Sequence, residues 1–142
     1  MIRPTWDQYF LNMARVASSR ASCPRASVGA IIVRENRVLS SGMNGSISGE
    51  AHCTDIGCDI VDNHCERVEH AERNAIYYAA QHGVSLRGAT AYITIPPCWA
   101  CTKGMISAGI VRVVYSNDYK LDPRVVDLFN RRTDLKMEKY IC

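Results

Sequence analysis

The sequence predicts a single α/β domain of three layers, in which a five-stranded mixed sheet is flanked by helices. The order of the elements leads to this prediction, because strands alternate with helices after an initial hairpin. The second observation is the lack of any internal repeat, low-complexity stretch or change of composition in the 142 residues. We therefore expect one domain over residues 1–142.

The first half of the chain predicts a helix, a hairpin and an insert. Thr5 is an N-cap for an amphipathic helix over residues 5–20. Two β-rich runs, 28–33 and 37–41, stand close enough to form a hairpin. Residues 46–69 have no clear period, and a long irregular loop in a compact domain is uncommon unless something anchors it.

The second half of the chain predicts alternating helices and strands. Residues 70–81 are rich in alanine, and Gly83 supplies a C-terminal stop for this helix. Asp122 and Pro123 then open a later helix, with proline in its first turn. From residue 89 onward we expect strand, helix, strand, helix and strand at 89–95, 98–108, 110–116, 122–132 and 135–141.

Composition narrows the classes of function. The net charge is only +3 and the aromatic content 8%, without the dense basic face that is typical of nucleic-acid binding. The N-terminus lacks the pattern of a signal peptide, and no run approaches the about 20 apolar residues of a membrane span. We therefore expect a cytoplasmic protein, in which seven cysteines indicate metal binding or catalysis rather than disulfides.

Two cysteines stand where a helix is predicted to begin. Cys98 and Cys101 follow the strand at 89–95, and a helix N-terminus favours the thiolate form that binds metals. A catalytic zinc site commonly has three protein ligands and one open position. His70, at the start of another predicted helix, is the candidate third ligand.

Glu72, two residues after His70, is the candidate for the residue that transfers protons between the metal-bound water and the substrate. The combination His-Ala-Glu with Pro-Cys-x-x-Cys is the signature of zinc-dependent nucleobase deaminases, in which the glutamate moves protons and does not bind zinc. Three other interpretations remain for the motif: a redox pair, half of a structural zinc site, or an ordinary solvated helix start. The motifs in combination, in this order, favour the deaminase.

Over nearly its whole length the chain resembles deoxycytidylate (dCMP) deaminases of the cytidine deaminase-like fold. The stretches that carry the resemblance are RASVGAIIV at 25–33, SSGMNG at 40–45, HAERNAIYYAAQHG at 70–83 and AYITIPPCWACTKGMISAGIVRVVY at 91–115, together with the Cys/His-bearing insert. The resemblance implies conversion of dCMP to dUMP and ammonia, one catalytic zinc and a homo-oligomer, commonly a hexamer.

The resemblance also implies residues that contact the substrate. Asn44 matches an asparagine that contacts the sugar, and Arg25 and Ser27 are candidates for the phosphate. Ala71 and, more weakly, Tyr115 complete the candidate set; Arg25 could equally be a solvated loop residue. Met43 replaces the usual tyrosine near the effector site, which leaves open whether dCTP and dTTP regulate the enzyme.

Four further cysteines predict a second, structural zinc that would anchor the insert. The proposed ligands are Cys23, Cys53, Cys58 and Cys65, with His64 able to replace one of them, and Cys142 is left out. The alternative is a set of free buried thiols.

Two other functions remain as alternatives to a dCMP deaminase. A tRNA adenosine or polynucleotide cytidine deaminase would need a basic channel rimmed by aromatic side chains. A zinc-stabilised binding module without enzymatic activity would have no need for Glu72.

Overall fold

The structure is a computed structural model that describes residues 2–141, so Cys142 lies outside the described residues. None of the helices in this range is long and apolar enough to cross a membrane. The elements in chain order are α1 (Trp6–Ser18), β1 (Gly29–Arg34), β2 (Arg37–Met43), α2 (Cys53–Ile56), β3 (Ile60–Val61), β4 (His64–Cys65), α3 (Ala71–Gln81), β5 (Thr90–Ile93), α4 (Trp99–Ser107), β6 (Arg112–Tyr115), α5 (Pro123–Arg131) and β7 (Lys136–Lys139).

The predicted five-stranded mixed sheet is confirmed. Its strand order is β2-β1-β5-β6-β7. Strand β1 runs antiparallel to both β2 and β5, whereas β5, β6 and β7 are parallel to one another. Each element predicted outside the insert is present, with ends within two residues of the expected bounds.

Helices cover both faces of the sheet, and strand β1 shows how the sequence produces this. Adjacent side chains of a strand point to opposite faces. Ile31 therefore packs against α1 in one apolar cluster with Phe10, while Ile32 packs on the other face in a cluster with Ala75 of α3 and Met105 of α4. A strand buried on both faces needs a continuous apolar run, as in residues 30–33.

Close contact between β2 and α3 fixes the first turn of this helix. A Cβ atom on Gly42 would collide with the backbone of Ala71 and Ala75, so only glycine allows the approach. The Ser40 hydroxyl donates a hydrogen bond to the carbonyl oxygen of Ala75 at 2.6 Å, and Asn74 Nδ2 donates to the carbonyl oxygen of Met43 at 2.8 Å.

The insert contains more regular structure than the sequence indicated. Helix α2 and the hairpin β3-β4 lie within residues 46–69, and the hairpin pairs Ile60 with Cys65. Strands of two residues are too short to show a period, so sequence reasoning could not find them. The insert buries few apolar side chains, and Ile60 and Val61 remain 49% and 47% exposed.

Candidate metal centre and active site

Two helix N-termini bring the predicted metal ligands together. His70 is the N-cap residue of α3 and Cys98 is the N-cap residue of α4, both with extended backbone. The Cys98 sulfur accepts a hydrogen bond from the backbone N–H of Cys101 at 3.5 Å. Cys101 is thereby held in the first turn of α4, on the same side as Cys98.

The distances between the three side chains fit one zinc ion. His70 Nδ1 lies 3.3 Å from Cys101 Sγ and 3.6 Å from Cys98 Sγ. In a tetrahedral site with Zn–N and Zn–S bonds of about 2.0–2.3 Å, nitrogen and sulfur ligands stand about 3.5 Å apart. The three ligand atoms lie within 4.8 Å of one another, so the geometry and the donor types both suit zinc.

The two thiols of the site differ in acidity: the pKa of Cys98 is lowered, whereas the contact with Cys98 and burial raise the pKa of Cys101. A hydrogen bond from the Cys101 thiol, together with the nearby His70 ring, lowers the pKa of Cys98 to about 3. The contact with Cys98 in turn raises the pKa of His70. Cys98 is exposed and Cys101 buried, so one sulfur faces the side from which a substrate can approach.

Glu72 lies in the first turn of α3, two residues beyond His70, as the sequence predicted. Its side chain is buried, with only 4% of the residue exposed. Burial raises the pKa of Glu72, while the nearby His70 and the Cys101 thiol act in the opposite direction. A buried carboxyl group with a raised pKa is suited to exchange protons near neutral pH.

Backbone hydrogen bonds hold the segments that lead into the two helix starts. Gly45 and Glu69 form a two-way backbone bridge next to His70. Gly29 accepts a hydrogen bond from the backbone N–H of Thr94, four residues before Cys98, at 3.1 Å. The first residue of β1 and the residues after β2 thus contact the segments that lead into α4 and α3.

The candidate substrate residues lie in different environments. Asn44 is 6% exposed and Tyr115, at the end of β6, is 8% exposed. Arg25 and Ser27 are exposed on the segment before β1, and the Arg25 guanidinium donates to the carbonyl oxygen of Asn63 at 3.3 Å. Ala71 is fully buried, so its methyl group packs against the fold.

Trp99 is a residue of the site region that sequence reasoning missed. It follows Cys98, and its ring lies 5.3 Å from the Arg124 guanidinium carbon and 5.7 Å from Lys103 Nζ. Its position next to a metal-ligand candidate was visible in the sequence. The two cations were not, because α5 reaches this region only through the fold.

Three cysteines of the second cluster meet as the sequence predicted. The sulfur atoms of Cys23, Cys53 and Cys58 lie within 4.8 Å of one another. The Cys65 sulfur is 3.5 Å from that of Cys53. Although burial opposes it, hydrogen bonds from the backbone at Asp59 and from the Cys53 thiol lower the pKa of Cys65 to about 7.

His64 and Cys65 occupy successive positions of β4, and successive side chains of a strand point to opposite faces. Cys65 packs against the cysteine cluster, whereas His64 is exposed. The geometry therefore favours Cys65 over His64 as the fourth member of the second cluster.

The fold and the metal centre together define the class of zinc-binding deaminases of the cytidine deaminase type. A family model described as the cytidine and deoxycytidylate deaminase zinc-binding region matches residues 4–117. The chain belongs to this family.

The proteins to which the chain is similar include deoxycytidylate deaminases. It is 47% identical over 131 residues to ComE operon protein 2 of Bacillus subtilis, which covers 92% of this chain and 69% of that protein. It is 38% identical over 129 residues to the deoxycytidylate deaminase of Mycobacterium phage D29, covering 83% of this chain and 99% of the phage enzyme. The dCMP deaminase of cyanophage S-TIM5, solved in complex with dCMP and dUMP, superposes with a TM-score of 0.82 at 29% identity over 99% of this chain and all of that chain.

If His70, Cys98 and Cys101 hold the catalytic zinc, the double variant Cys98→Ala/Cys101→Ala should lose one zinc per chain, because imidazole alone binds zinc weakly. Atomic absorption on purified protein measures this loss. Lys103→Ala, which changes the same helix without removing a ligand, is the control. A double variant that keeps the zinc content of the wild type would contradict the assignment.

Proposed function

We propose that this protein is a zinc-dependent hydrolytic deaminase that converts dCMP to dUMP and ammonia. The observation that carries the proposal is the placement of Glu72, a buried acid, in the helix turn that starts at His70, whose ring lies within 3.6 Å of both Cys98 and Cys101 sulfurs. Two of the similar proteins are named as deaminases of this nucleotide, one of them in complex with dCMP and dUMP.

His70, Cys98 and Cys101 would hold the zinc and leave one side open for the substrate. Zinc bound there supplies activation of a water molecule, whose pKa falls toward about 7 on catalytic zinc. In this proposal Glu72 would take one proton from the water and give it to the ring nitrogen, while the water oxygen bonds to the neighbouring carbon that carries the amino group. Glu72 would then take the second proton from the new hydroxyl group and give it to the amino group, which leaves as ammonia when the C–N bond breaks.

The substrate is held, in this proposal, by Asn44, Arg25, Ser27, Ala71 and Tyr115. An arginine guanidinium suits a phosphate because it offers parallel N–H donors. Arg25 and Ser27 are both exposed on the segment before β1, so their side chains are accessible to a phosphate. Ala71 would contribute through its backbone, since its side chain is buried.

The second cysteine cluster is proposed to hold a structural zinc ion. Cys23, Cys53, Cys58 and Cys65 offer four sulfur ligands, which is the closed set of a structural site. The insert buries little apolar surface of its own, so binding of a metal would contribute directly to its folding.

Assembly, regulation and compartment remain predictions from the family resemblance. A homo-oligomer, with six chains as the expected number, would cover exposed aromatic side chains such as Tyr77 and Tyr78, each 53% exposed. Met43 leaves the action of dCTP and dTTP open. The expected location of the protein is the cytoplasm.

A panel of substrates tests the proposed reaction. We expect ammonia release from dCMP at a kcat/KM at least about tenfold above the values for CMP, dCTP and deoxycytidine, because the phosphate and sugar contacts contribute to binding. Release from adenosine or from an oligonucleotide should be undetectable. Preferred turnover of the oligonucleotide or of adenosine would instead support a nucleic-acid deaminase.

The proton-transfer role of Glu72 predicts the behaviour of Glu72→Gln. Glutamine keeps the shape but cannot accept a proton, so kcat and kcat/KM should both fall by about 10²–10⁴-fold while zinc content stays unchanged. Ammonia release and atomic absorption on the same preparation measure the two quantities. Near-normal turnover would place proton transfer elsewhere, and loss of zinc would make Glu72 a ligand or a support of the metal.

A structural zinc predicts about two zinc ions per chain in the wild type. Cys53→Ala should reduce the count to about one and make the insert susceptible to limited proteolysis, because its anchor is lost. Ser46→Ala, which removes an exposed hydrogen bond to the carbonyl oxygen of Ala51 within the same insert, should retain both ions. A wild-type count of one zinc per chain would refute the second site.

A further inference from the structure

We propose that Asn74 is a positioning residue that fixes the orientation of Asn44 and thereby the contact of Asn44 with the hydroxyl group of the substrate's sugar. The inference rests on the proposed function, in which Asn44 helps to hold dCMP. It assigns a role to a residue of α3 that the proposed mechanism does not use.

Asn74 belongs to the helix that starts at the metal-ligand candidate His70. The backbone N–H of Asn74 donates a hydrogen bond to the carbonyl oxygen of His70 at 2.9 Å, and residues four apart lie on the same face of a helix. Asn74 is half-buried. Its side chain is therefore carried by the same helical turn as His70 and Glu72.

The side chain of Asn74 holds the peptide group that precedes Asn44. Asn74 Nδ2 donates to the carbonyl oxygen of Met43 at 2.8 Å. The Met43 carbonyl and the Asn44 N–H belong to one planar peptide, and this N–H donates to the carbonyl oxygen of Val28 at 3.3 Å. The peptide is thus held at both ends, by α3 on one side and by the residue before β1 on the other.

The peptide group that follows Asn44 is held by backbone atoms alone. The Asn44 carbonyl oxygen accepts a hydrogen bond from the backbone N–H of Ser22 at 3.2 Å, and the Gly45 N–H donates to the carbonyl oxygen of Glu69 at 3.2 Å. Among the hydrogen bonds to the two peptides that flank Asn44, the one from Asn74 is made by a side chain. A substitution of Asn74 can therefore loosen Asn44 while the backbone contacts remain.

The amide of Asn44 has capacity left for a sugar hydroxyl. Its Oδ1 accepts a hydrogen bond from the Val28 N–H at 2.7 Å, and its Nδ2 donates to the carbonyl oxygen of Ala26 at 2.8 Å. An asparagine side chain offers two N–H donors and two acceptor lone pairs, so one of each remains. Because Asn44 is only 6% exposed, the direction of these remaining groups depends on how its backbone is held.

The test compares the wild type with Asn74→Ala on dCMP and on 2′,3′-dideoxycytidine 5′-monophosphate, which lacks the single free hydroxyl group of the sugar. We expect the wild type to favour dCMP, and the ratio of the two kcat/KM values to fall about 3–10-fold in Asn74→Ala, the range for one hydrogen bond between neutral groups. Calorimetric titration with dUMP and its dideoxy analogue should show the same selective loss without depending on catalysis. The zinc content should stay unchanged, because Asn74 is not a ligand.

The control is Ser40→Ala, which removes another side-chain hydrogen bond between β2 and α3, from the Ser40 hydroxyl to the carbonyl oxygen of Ala75. It should leave the ratio of dCMP to the dideoxy nucleotide unchanged, even if its melting temperature falls as far as that of Asn74→Ala. If Asn74→Ala does not fold, Asn74→Asp provides the same comparison, since an ionised carboxylate keeps the shape but cannot donate.

A double variant shows whether Asn74 acts through Asn44. Asn44→Ala should itself lower the ratio, and adding Asn74→Ala should lower it no further, because both changes remove the same sugar contact. An unchanged ratio in Asn74→Ala, equal turnover of the two nucleotides by the wild type, or losses that multiply in the double variant would overturn the proposal. Absence of wild-type turnover of dCMP would instead refute the proposed function itself.

Discussion

The site depends on the meeting of two helix N-termini at one point. Helix α3 begins after His70 and helix α4 begins after Cys98, and the ligand atoms approach to 3.3 and 3.6 Å. Such an approach requires α3 to lie directly on β2, which Gly42 permits because any Cβ there would meet the helix backbone. Helix starts also offer free N–H groups, which stabilise the thiolates that zinc needs.

The same arrangement determines what surrounds the metal centre. Strand β5 pairs with β1 in antiparallel orientation and with β6 in parallel orientation. In open α/β sheets, ligands bind outside the carboxyl ends of the strands, at the point where the strand order reverses. Gly29, the first residue of β1, accepts a hydrogen bond from the backbone N–H of Thr94, which follows β5, and Asn44 Oδ1 accepts one from the backbone N–H of Val28. The candidate metal centre and the buried acid therefore both depend on how α3 and α4 are placed against the sheet.

The sequence predicted the large elements and which three residues meet at the candidate metal centre, because their signals are local. The apolar run at residues 30–33 and the spacing of Cys98 and Cys101 can be read without knowing the fold. The hairpin β3-β4 could not be predicted, since two-residue strands have no period. The hydrogen bonds of Asn44 to Val28 and Ala26, and the cations beside Trp99, depend on contacts between distant segments, which only the assembled sheet brings together.

The central claim is that zinc is held by His70, Cys98 and Cys101 with its fourth position free of protein atoms. A crystal structure of the purified protein, with an anomalous difference map at the zinc absorption edge, tests this claim most directly. The account predicts a peak bonded to His70 Nδ1 and to both sulfurs, with the Glu72 carboxylate near it but not bonded. A peak coordinated by Glu72, or no peak between the two helix starts, would contradict it.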